Sequence, residues 1–373
     1  MVMSATTPPI VDESERIDPG HGRGLLVILG AGASVDSSCG GGGEPPPLTK
    51  DLVSAGAFQP EVMGDNPHAV PVIDALVRRL DQRDPATSLE IALRDYQALG
   101  TSNEHVKHHL MAFRFYLREL LLKCSDSILR GYGQRTNYTA LANGCYQWAV
   151  DNRSMVGFVS FNYDPLFETA CATAFGFNPL HAPDYVRGPN AFVLKPHGSA
   201  DWTYRHPDAE EYHKGRRNPK EYCVELGEPE TTEGLILDFL GPALEVSPLG
   251  STSGSVVPLF PAIALPVDNK NTFIWPSEQR DLLEHRLARG SFGRVLIVGW
   301  RGVEAHFLEL LIQHITPQAR IVVVSGGANA RAEADDVFAN LGSLVGPSAG
   351  RIPQPVGFDA FMRSDWRQTV FGS

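Results

Sequence analysis

The amino-acid sequence predicts an α/β protein with a Rossmann-like, doubly wound parallel sheet and a helical insertion after the first strand. Residues 24–30 form an apolar run that ends in glycine, which is typical of a buried parallel strand. A long stretch with helical spacing of apolar residues follows this run. Strand and helix patterns then alternate towards the end of the chain, as a doubly wound sheet requires.

The first half of the chain is predicted to hold a tail, the first strand, a loop and the insertion. Residues 1–22 are rich in Pro, Asp, Glu and Ser and are expected to be disordered, and residues 23–373 are expected to form one domain. Glycines and prolines in residues 39–47 predict a loop. The insertion is expected over about 60–150. Its helices are predicted from apolar residues three and four apart in 72–80, 89–99, 105–129 and 138–150.

The second half is predicted to return to the sheet. Strands are predicted at 156–161, 192–196, 294–298 and 320–325. Helices are predicted at 165–175, 276–290, 303–314 and 359–371. Residues 203–255 are polar and irregular, which predicts a loop-rich segment with one short strand at 234–239. Prolines within 257–265 limit that stretch to an edge strand.

Charge and composition exclude several classes of protein. Among 373 residues, 32 Lys and Arg stand against 43 Asp and Glu, and this net charge of −11 argues against direct nucleic-acid binding. No apolar run is long enough to cross a membrane and no signal peptide is recognisable, so we expect a cytoplasmic protein. The five cysteines form no C-x-x-C pair, so no structural zinc is expected. The histidines at 105, 108 and 109 are interpreted as a solvated helix face, and no metal site is expected.

A glycine motif follows the first predicted strand, at the sheet edge where open α/β folds bind ligands. Residues 30–34 read Gly-Ala-Gly-Ala-Ser. The glycines allow a tight turn and close approach of the backbone to a pyrophosphate. Val35 stands where a dehydrogenase fingerprint has its third glycine, which disfavours hydride transfer. A tight turn without a ligand is the alternative interpretation.

Two polar motifs follow later strands. Residues 160–164 read Ser-Phe-Asn-Tyr-Asp, and Asn162 and Asp164 can point the same way because they lie two residues apart. A helix cap before Pro165 explains Asp164 equally well, but Asn162 is not needed for it. Residues 195–202 read Lys-Pro-His-Gly-Ser-Ala-Asp-Trp, and His197 is a candidate general base because imidazole titrates near neutral pH. A structural histidine is the alternative.

Taken in this order, the three motifs resemble the SIR2 (sirtuin) superfamily, and more closely the SIR2-like domains of bacterial antiphage defence systems. The resemblance spans most of residues 24–330. It implies that NAD is bound as a substrate, with Asn162 and His197 as the catalytic residues. The later segment at 299–300 is similar to a second nucleotide loop of that superfamily. The NAD-binding residues implied are Gly30, Ala31, Gly32, Ser34, Ser160, Asp164, Gly299, Trp300, Glu304 and Ser325.

The departures from the superfamily shape the expected activity. Protein-deacylating sirtuins carry a zinc module with two C-x-x-C pairs, and this chain has no such pair. The helical insertion is similar to the NAD-hydrolysing defence branch, so the resemblance implies an NAD+ glycohydrolase that depletes NAD during abortive infection. Two alternatives stay open. One is an NAD-dependent protein deacylase or ADP-ribosyltransferase, and the other is a non-catalytic NAD-sensing subunit of an assembly.

Partners are expected because unregulated NAD cleavage would kill the cell. About fifty residues follow the strand at 320–325, too few for a separate sensor domain. We therefore expect a homo-oligomer together with a protein partner. The resemblance favours a hexameric ATPase of the HerA type, with an Argonaute-like protein as the alternative. The amphipathic stretch 105–129 is a candidate subunit contact, and the core of the insertion is the alternative role for it.

Overall fold

A computed structural model describes most of the chain. The described residues are 17, 20–38, 43–54, 56–81, 88–100, 103–132, 135–179, 181, 184–187, 190–205, 218–227, 237–239, 259–267, 274–342 and 350–372. The strands within them are β1 (Gly24–Leu29), β2 (Val156–Ser160), β3 (Ala191–Leu194), β4 (Gly198–Arg205), β5 (Leu237–Phe239), β6 (Leu259–Ile263), β7 (Phe292–Val298), β8 (Ile315–Val324) and β9 (Gly350–Gln354).

The α-helices connect and cover these strands. They are α1 (Ala31–Val35), α2 (Gln59–Asp65), α3 (Val70–Asp81), α4 (Leu89–Leu99), α5 (Glu104–Tyr132), α6 (Asn137–Asp151), α7 (Leu166–Phe175), α8 (Asp184–Arg187), α9 (Pro219–Leu226), α10 (Ser277–Asp281), α11 (Ala305–Ile312), α12 (Ala330–Leu341), α13 (Phe358–Arg363) and α14 (Trp366–Phe371). A π-helical turn, Leu282–Arg286, extends α10.

Six strands form one parallel sheet in the order β3-β2-β1-β7-β8-β9. The first three strands build one half outwards from β1, and the last three build the other half outwards from β7. This is the Rossmann-type order, and it confirms the predicted fold class. Strand order reverses between β1 and β7, so the crevice beyond their carboxyl ends is the position where such sheets bind ligands. All six residues of β1 are buried, which explains its uninterrupted apolar sequence.

A small antiparallel sheet, in the order β5-β4-β6, lies beyond β3 in the sequence. Its strand β6 contains Pro261 and forms an edge, as the prolines predicted. The prediction of irregular chain with one short strand over 203–255 is wrong in two places. Strand β4 runs on to Arg205, and helix α9 occupies Pro219–Leu226. Asn218 caps that helix by accepting a hydrogen bond from the Lys220 N–H at 2.9 Å.

The helical insertion lies between β1 and β2, as predicted, and comprises α2 to α6. Its longest helix, α5, has 29 residues. The apolar side chains proposed as a subunit contact are instead buried within the chain, which agrees with the alternative role in the insertion's core. They are Leu110, Phe113, Tyr116, Leu117, Leu120, Leu121 and Cys124. No helix in the described part of the chain is long and apolar enough to cross a membrane.

Several elements near the chain ends differ from the predictions. Helix α12 and strand β9 were not predicted. The predicted helix at 359–371 is two helices, because the Asp365 side chain accepts from the Gln368 N–H and starts α14 anew. The expected disordered tail lies mostly outside the described residues. Ile17 departs from the expectation, since its N–H donates to the Arg286 carbonyl at 2.7 Å.

Candidate functional site

The two glycine segments at the strand-order reversal pack directly on each other. A Cβ at Gly30 would lie 2.4 Å from the Gly299 carbonyl oxygen and 2.6 Å from the Trp300 Cα. Gly299 itself has φ +62 and sits against the backbone of Gly32 and Ala33. The Gly32 N–H donates to the Gly299 carbonyl at 3.3 Å. Close contact between the segments therefore explains these glycines, and the Gly32 N–H already has a protein acceptor.

The glycine segment and the Asn162 segment meet through side chains. Ser34, on α1, lies 2.9 Å from the Asn162 amide nitrogen and 2.9 Å from the Tyr138 hydroxyl. The same amide nitrogen lies 3.0 Å from the Tyr138 hydroxyl. Ser34 also hydrogen-bonds the carboxyl group of Asp164. The shared sheet edge predicts that Ser34, Asn162 and Asp164 lie together, whereas no sequence motif indicates Tyr138, which comes from helix α6 of the insertion.

The hydrogen bonds of this network fix the orientation of the Asn162 amide. The Asn162 amide nitrogen donates to the Ser34 hydroxyl at 2.9 Å and to the Tyr138 hydroxyl at 3.0 Å. The Asn162 amide oxygen consequently points elsewhere. It is buried and has no hydrogen-bond partner among the described residues.

Asp164 combines a structural role with a position at the site. Its Oδ1 accepts from the Leu166 N–H at 3.2 Å, which is the cap role given as its alternative. Burial raises the pKa of Asp164, and the nearby Lys195 ammonium opposes this rise. Burial likewise raises the pKa of Tyr138 well above its usual range. The Tyr138 hydroxyl is therefore a neutral hydrogen-bonding group throughout the physiological pH range.

His197 follows β3 and is buried, and its described contacts differ from those of Asn162. Its ring packs edge-on against Phe161 at 5.0 Å between centroids, and it lies 6.0 Å from the Tyr163 ring. Phe161 and Tyr163 flank Asn162 in the sequence. Alternation along an extended chain explains why they contact His197, whereas Asn162 and Asp164 contact Ser34. The structure thus places His197 beside the Asn162 segment, next to its aromatic residues.

Trp300 and Glu304 are linked to this aromatic group through Phe161. The Trp300 indole stacks on Phe161 with 5.0 Å between centroids and an angle of 3°. Its indole N–H donates to the Glu304 carboxylate at 2.7 Å. Trp300 therefore contacts the Asn162 segment through Phe161, and Glu304 is bound to Trp300.

The other predicted residues have more local surroundings. The Ser160 hydroxyl accepts from the Asn162 N–H at 3.4 Å. Ser325 follows β8, two strands from β1, and its hydroxyl donates to the Ala330 carbonyl at the start of α12. Ala31 is partly buried in the first turn after β1. Ser325 is thus separated from the Ser34–Asn162 group and serves a turn in the structure.

A buried ion pair beneath the site was missed by sequence reasoning. Lys195 and Glu168 form an ion pair in which neither side chain is exposed to solvent. Lys195 also donates to the Asp164 carbonyl at 2.9 Å and to the Ser199 hydroxyl at 2.9 Å. A lysine directly after the apolar residues of β3 was the available signal, because lysine is almost never fully buried unless it is paired.

The central side chains are almost sealed from solvent. The exposed fractions are 1% for Ser34, 4% for Asn162, 3% for Asp164 and 3% for His197. A ligand would have to displace neighbouring groups to reach the Asn162 amide oxygen. The conformation described here is therefore closed over the candidate catalytic residues.

A separate cavity of about 340 Å³ lies between the insertion and helix α9. It is lined by His68, His105, His108, His109, Glu221, Val224 and Glu225, and none of these residues belongs to the candidate site. Burial lowers the pKa values of His108 and His109, and neighbouring histidines add to this effect. No group of three or more His, Cys, Asp or Glu within the described ranges is placed to hold a metal ion.

The fold and the site define the class of protein as a Rossmann-like α/β protein with a polar site at the carboxyl edge of its sheet. No protein-family model matches the sequence, and no curated protein is significantly similar to it. Function is therefore inferred from the residues at that edge.

Proposed function

We propose that the chain is an NAD+ glycohydrolase, which cleaves NAD+ to nicotinamide and ADP-ribose, and that it depletes NAD in an antiphage defence system acting by abortive infection. The proposal combines the resemblance of three motifs to SIR2-like domains with their positions in the fold. These motifs follow β1, β2 and β3, which are consecutive neighbours in the sheet. Ligands of open α/β sheets bind at this edge.

The observation that carries the proposal is the oriented amide of Asn162. Its nitrogen is used by Ser34 and Tyr138, and its oxygen is a buried acceptor without a described partner. Leaving such a group unpaired costs about 1–3 kcal/mol, so its retention favours a ligand that supplies the donor. A ribose hydroxyl and an attacking water are both donors of this kind. The amide oxygen would therefore orient one of them.

The reaction needs little from the protein beyond such orientation. Nicotinamide leaves NAD+ as a neutral base, so no strong general acid is required. Charge develops on the ribose as an oxocarbenium-like centre, as in glycoside cleavage. In this proposal Asn162 orients the water or a ribose hydroxyl, and His197 accepts a proton from one of them.

Binding of the pyrophosphate is proposed at the glycine segment. A phosphate oxygen there would replace the Gly299 carbonyl as the acceptor for the Gly32 N–H. Gly30, Ala31 and Ser34 would complete this contact. The segments at 30–34 and 299–300 would have to separate slightly to admit the ligand.

Regulation is proposed to act on the closed state. The near-complete burial of Asn162 and His197 supports an enzyme that stays inactive until it is triggered. We propose self-assembly and a protein partner as the trigger, with a HerA-type hexameric ATPase favoured over an Argonaute-like protein. The chain alone is expected to be slow, and its turnover is expected to rise when the partner is added.

A product assay tests the proposal and separates it from its alternatives. The chain, with and without partner candidates, is incubated with NAD+, and nicotinamide, ADP-ribose and cyclic products are quantified by chromatography. Nicotinamide and ADP-ribose in equal amounts support hydrolysis. Nicotinamide release that requires an acyl-peptide would indicate deacylation, and label transferred to protein would indicate ADP-ribosylation. Tight NAD binding without any turnover would support the sensing subunit instead.

A further inference from the structure

We propose that Lys195 is a positioning residue that ties the Asn162 segment to the His197 segment. This inference rests on the proposed function, because the two segments carry its candidate catalytic residues. Lys195 touches neither side chain in the contacts described above. It bonds the backbone carbonyl of Asp164 and the hydroxyl group of Ser199, each two residues after one of them in the sequence.

The three protons of the Lys195 ammonium group have three acceptors on different elements. One is the backbone carbonyl of Asp164, two residues after Asn162, at 2.9 Å. Another is the Ser199 hydroxyl, two residues after His197, at 2.9 Å. The third is the Glu168 carboxylate on α7. A lysine ammonium has three donors, so this side chain is fully committed to joining these elements.

The backbone bonds around Lys195 reinforce the same junction. The Ala200 N–H donates to the Tyr163 carbonyl at 2.7 Å. The Ser199 hydroxyl lies 3.3 Å from the Tyr163 carbonyl and 3.3 Å from Glu168. Two short stretches of chain, one after β2 and one after β3, are therefore held side by side around a single buried cation.

A purely stabilising role explains this arrangement poorly. Replacing a buried ion pair by apolar residues of similar volume is often neutral or stabilising, so stability alone is a weak reason for such a pair. Removing only one partner leaves an uncompensated buried charge and is costly. Lys195 interacts with the carboxyl groups of both Asp164 and Glu168. Asp201 interacts in turn with Glu168 and with Arg118. The arrangement therefore fits a role in positioning the two segments better than a role in stability alone.

The test separates stability from positioning with a double variant. Lys195→Met with Glu168→Met removes both charges and keeps apolar bulk. The matched control is Lys220→Met with Glu119→Met, a largely buried pair that joins α5 to α9. Thermal midpoints, kcat and KM for NAD+ are measured for wild type and both doubles, and Lys195→Met alone is included.

We expect the single Lys195→Met variant to be clearly destabilised and the Lys195/Glu168 double to recover a midpoint near that of wild type. Turnover of this double should stay at least about 100-fold lower in kcat with KM within about threefold, because misplacing reacting groups by about 1 Å can cost that much. The control double should keep wild-type kcat. Wild-type kcat in the Lys195/Glu168 double would overturn the proposal.

Two further measurements keep the test decisive. If the double variant does not fold, Ser199→Ala removes one acceptor of Lys195 and leaves the ion pair, and an unchanged kcat there would overturn the proposal. If wild type releases no nicotinamide under any condition, the proposed function fails separately. In that case, a crystal structure of the Lys195/Glu168 double variant tests the positioning role of Lys195. Retention of the Ala200–Tyr163 bond and of the Phe161–His197 packing would refute the positioning role of Lys195. Separation of the two segments by about 1 Å or more would support it.

Discussion

Replacing Gly30 by alanine tests the packing of the two glycine segments. The added Cβ would lie 2.4 Å from the Gly299 carbonyl oxygen, about 1 Å inside the 3.4 Å at which ordinary contact begins. It would also lie 2.6 Å from the Trp300 Cα. Both obstacles are backbone atoms, so neither can move without shifting a loop anchored at the end of a central strand. Overpacking of this kind costs about 1–3 kcal/mol, and we expect the upper end of that range.

Thermal unfolding followed by circular dichroism measures this cost. A loss of about 2–3 kcal/mol corresponds to a fall of roughly 4–12 °C in the midpoint for a domain of about 150–250 residues, with a smaller fall for a larger one. Gly64→Ala is the matched control, since a Cβ there would meet nothing within 4 Å and the residue lies inside α2. That control should match or slightly exceed wild-type stability. A Gly30→Ala midpoint equal to that of the control would refute the packing argument.

Two further predictions concern buried ionisable groups. Burial raises the pKa of Glu168 from 4.5 to about 7, with Lys195 opposing the rise. The folded chain then binds more protons than the unfolded chain between these values, so the free energy of unfolding should fall as pH rises through about 4.5–7. Urea titrations across this window should show a shallower fall for Glu168→Gln, and an identical pH slope would contradict the assignment. The second prediction concerns four thiols whose pKa values are raised by burial, and these should react with a thiol reagent only after unfolding. They are Cys124, Cys145, Cys171 and Cys223. Fast labelling of any of them in a Cys39→Ser background would show that the native protein is more open around these thiols than the structure described here.

The sequence signals that succeeded are those of the buried stretches of parallel strands. β1, β2 and residues 295–298 of β7 and 321–324 of β8 are buried and mostly apolar, because helices cover both faces of a doubly wound sheet. β9, Gly-Arg-Ile-Pro-Gln, was missed because it is a partly exposed edge strand with a single large apolar residue. Proline is tolerated there for the same reason. The Asn-Pro pair at 218–219 was a usable signal for α9, since both residues favour a helix start.

Only the part of the site that comes from strand ends was predictable. Ser34, Asn162 and Asp164 follow neighbouring strands, so a shared sheet edge was enough to bring them together. Tyr138 and Glu168 approach from helices, and no local pattern indicates which helical residue will reach the sheet edge. Hydrogen bonds from these helices to the sheet edge depend on tertiary packing. The amide orientation of Asn162 follows from these bonds and therefore required the structure.

The most direct test of the account compares two buried asparagines. Asn162→Ala removes the oriented amide at the sheet edge. Asn66→Ala removes a buried amide that bonds the Val62 carbonyl and Glu119 within the insertion. Nicotinamide release from NAD+ is measured for both variants and for wild type, under whichever condition activates the wild type. The account predicts that Asn162→Ala loses at least about 100-fold in kcat while Asn66→Ala keeps turnover close to wild type. Equal turnover in Asn162→Ala and wild type would contradict it.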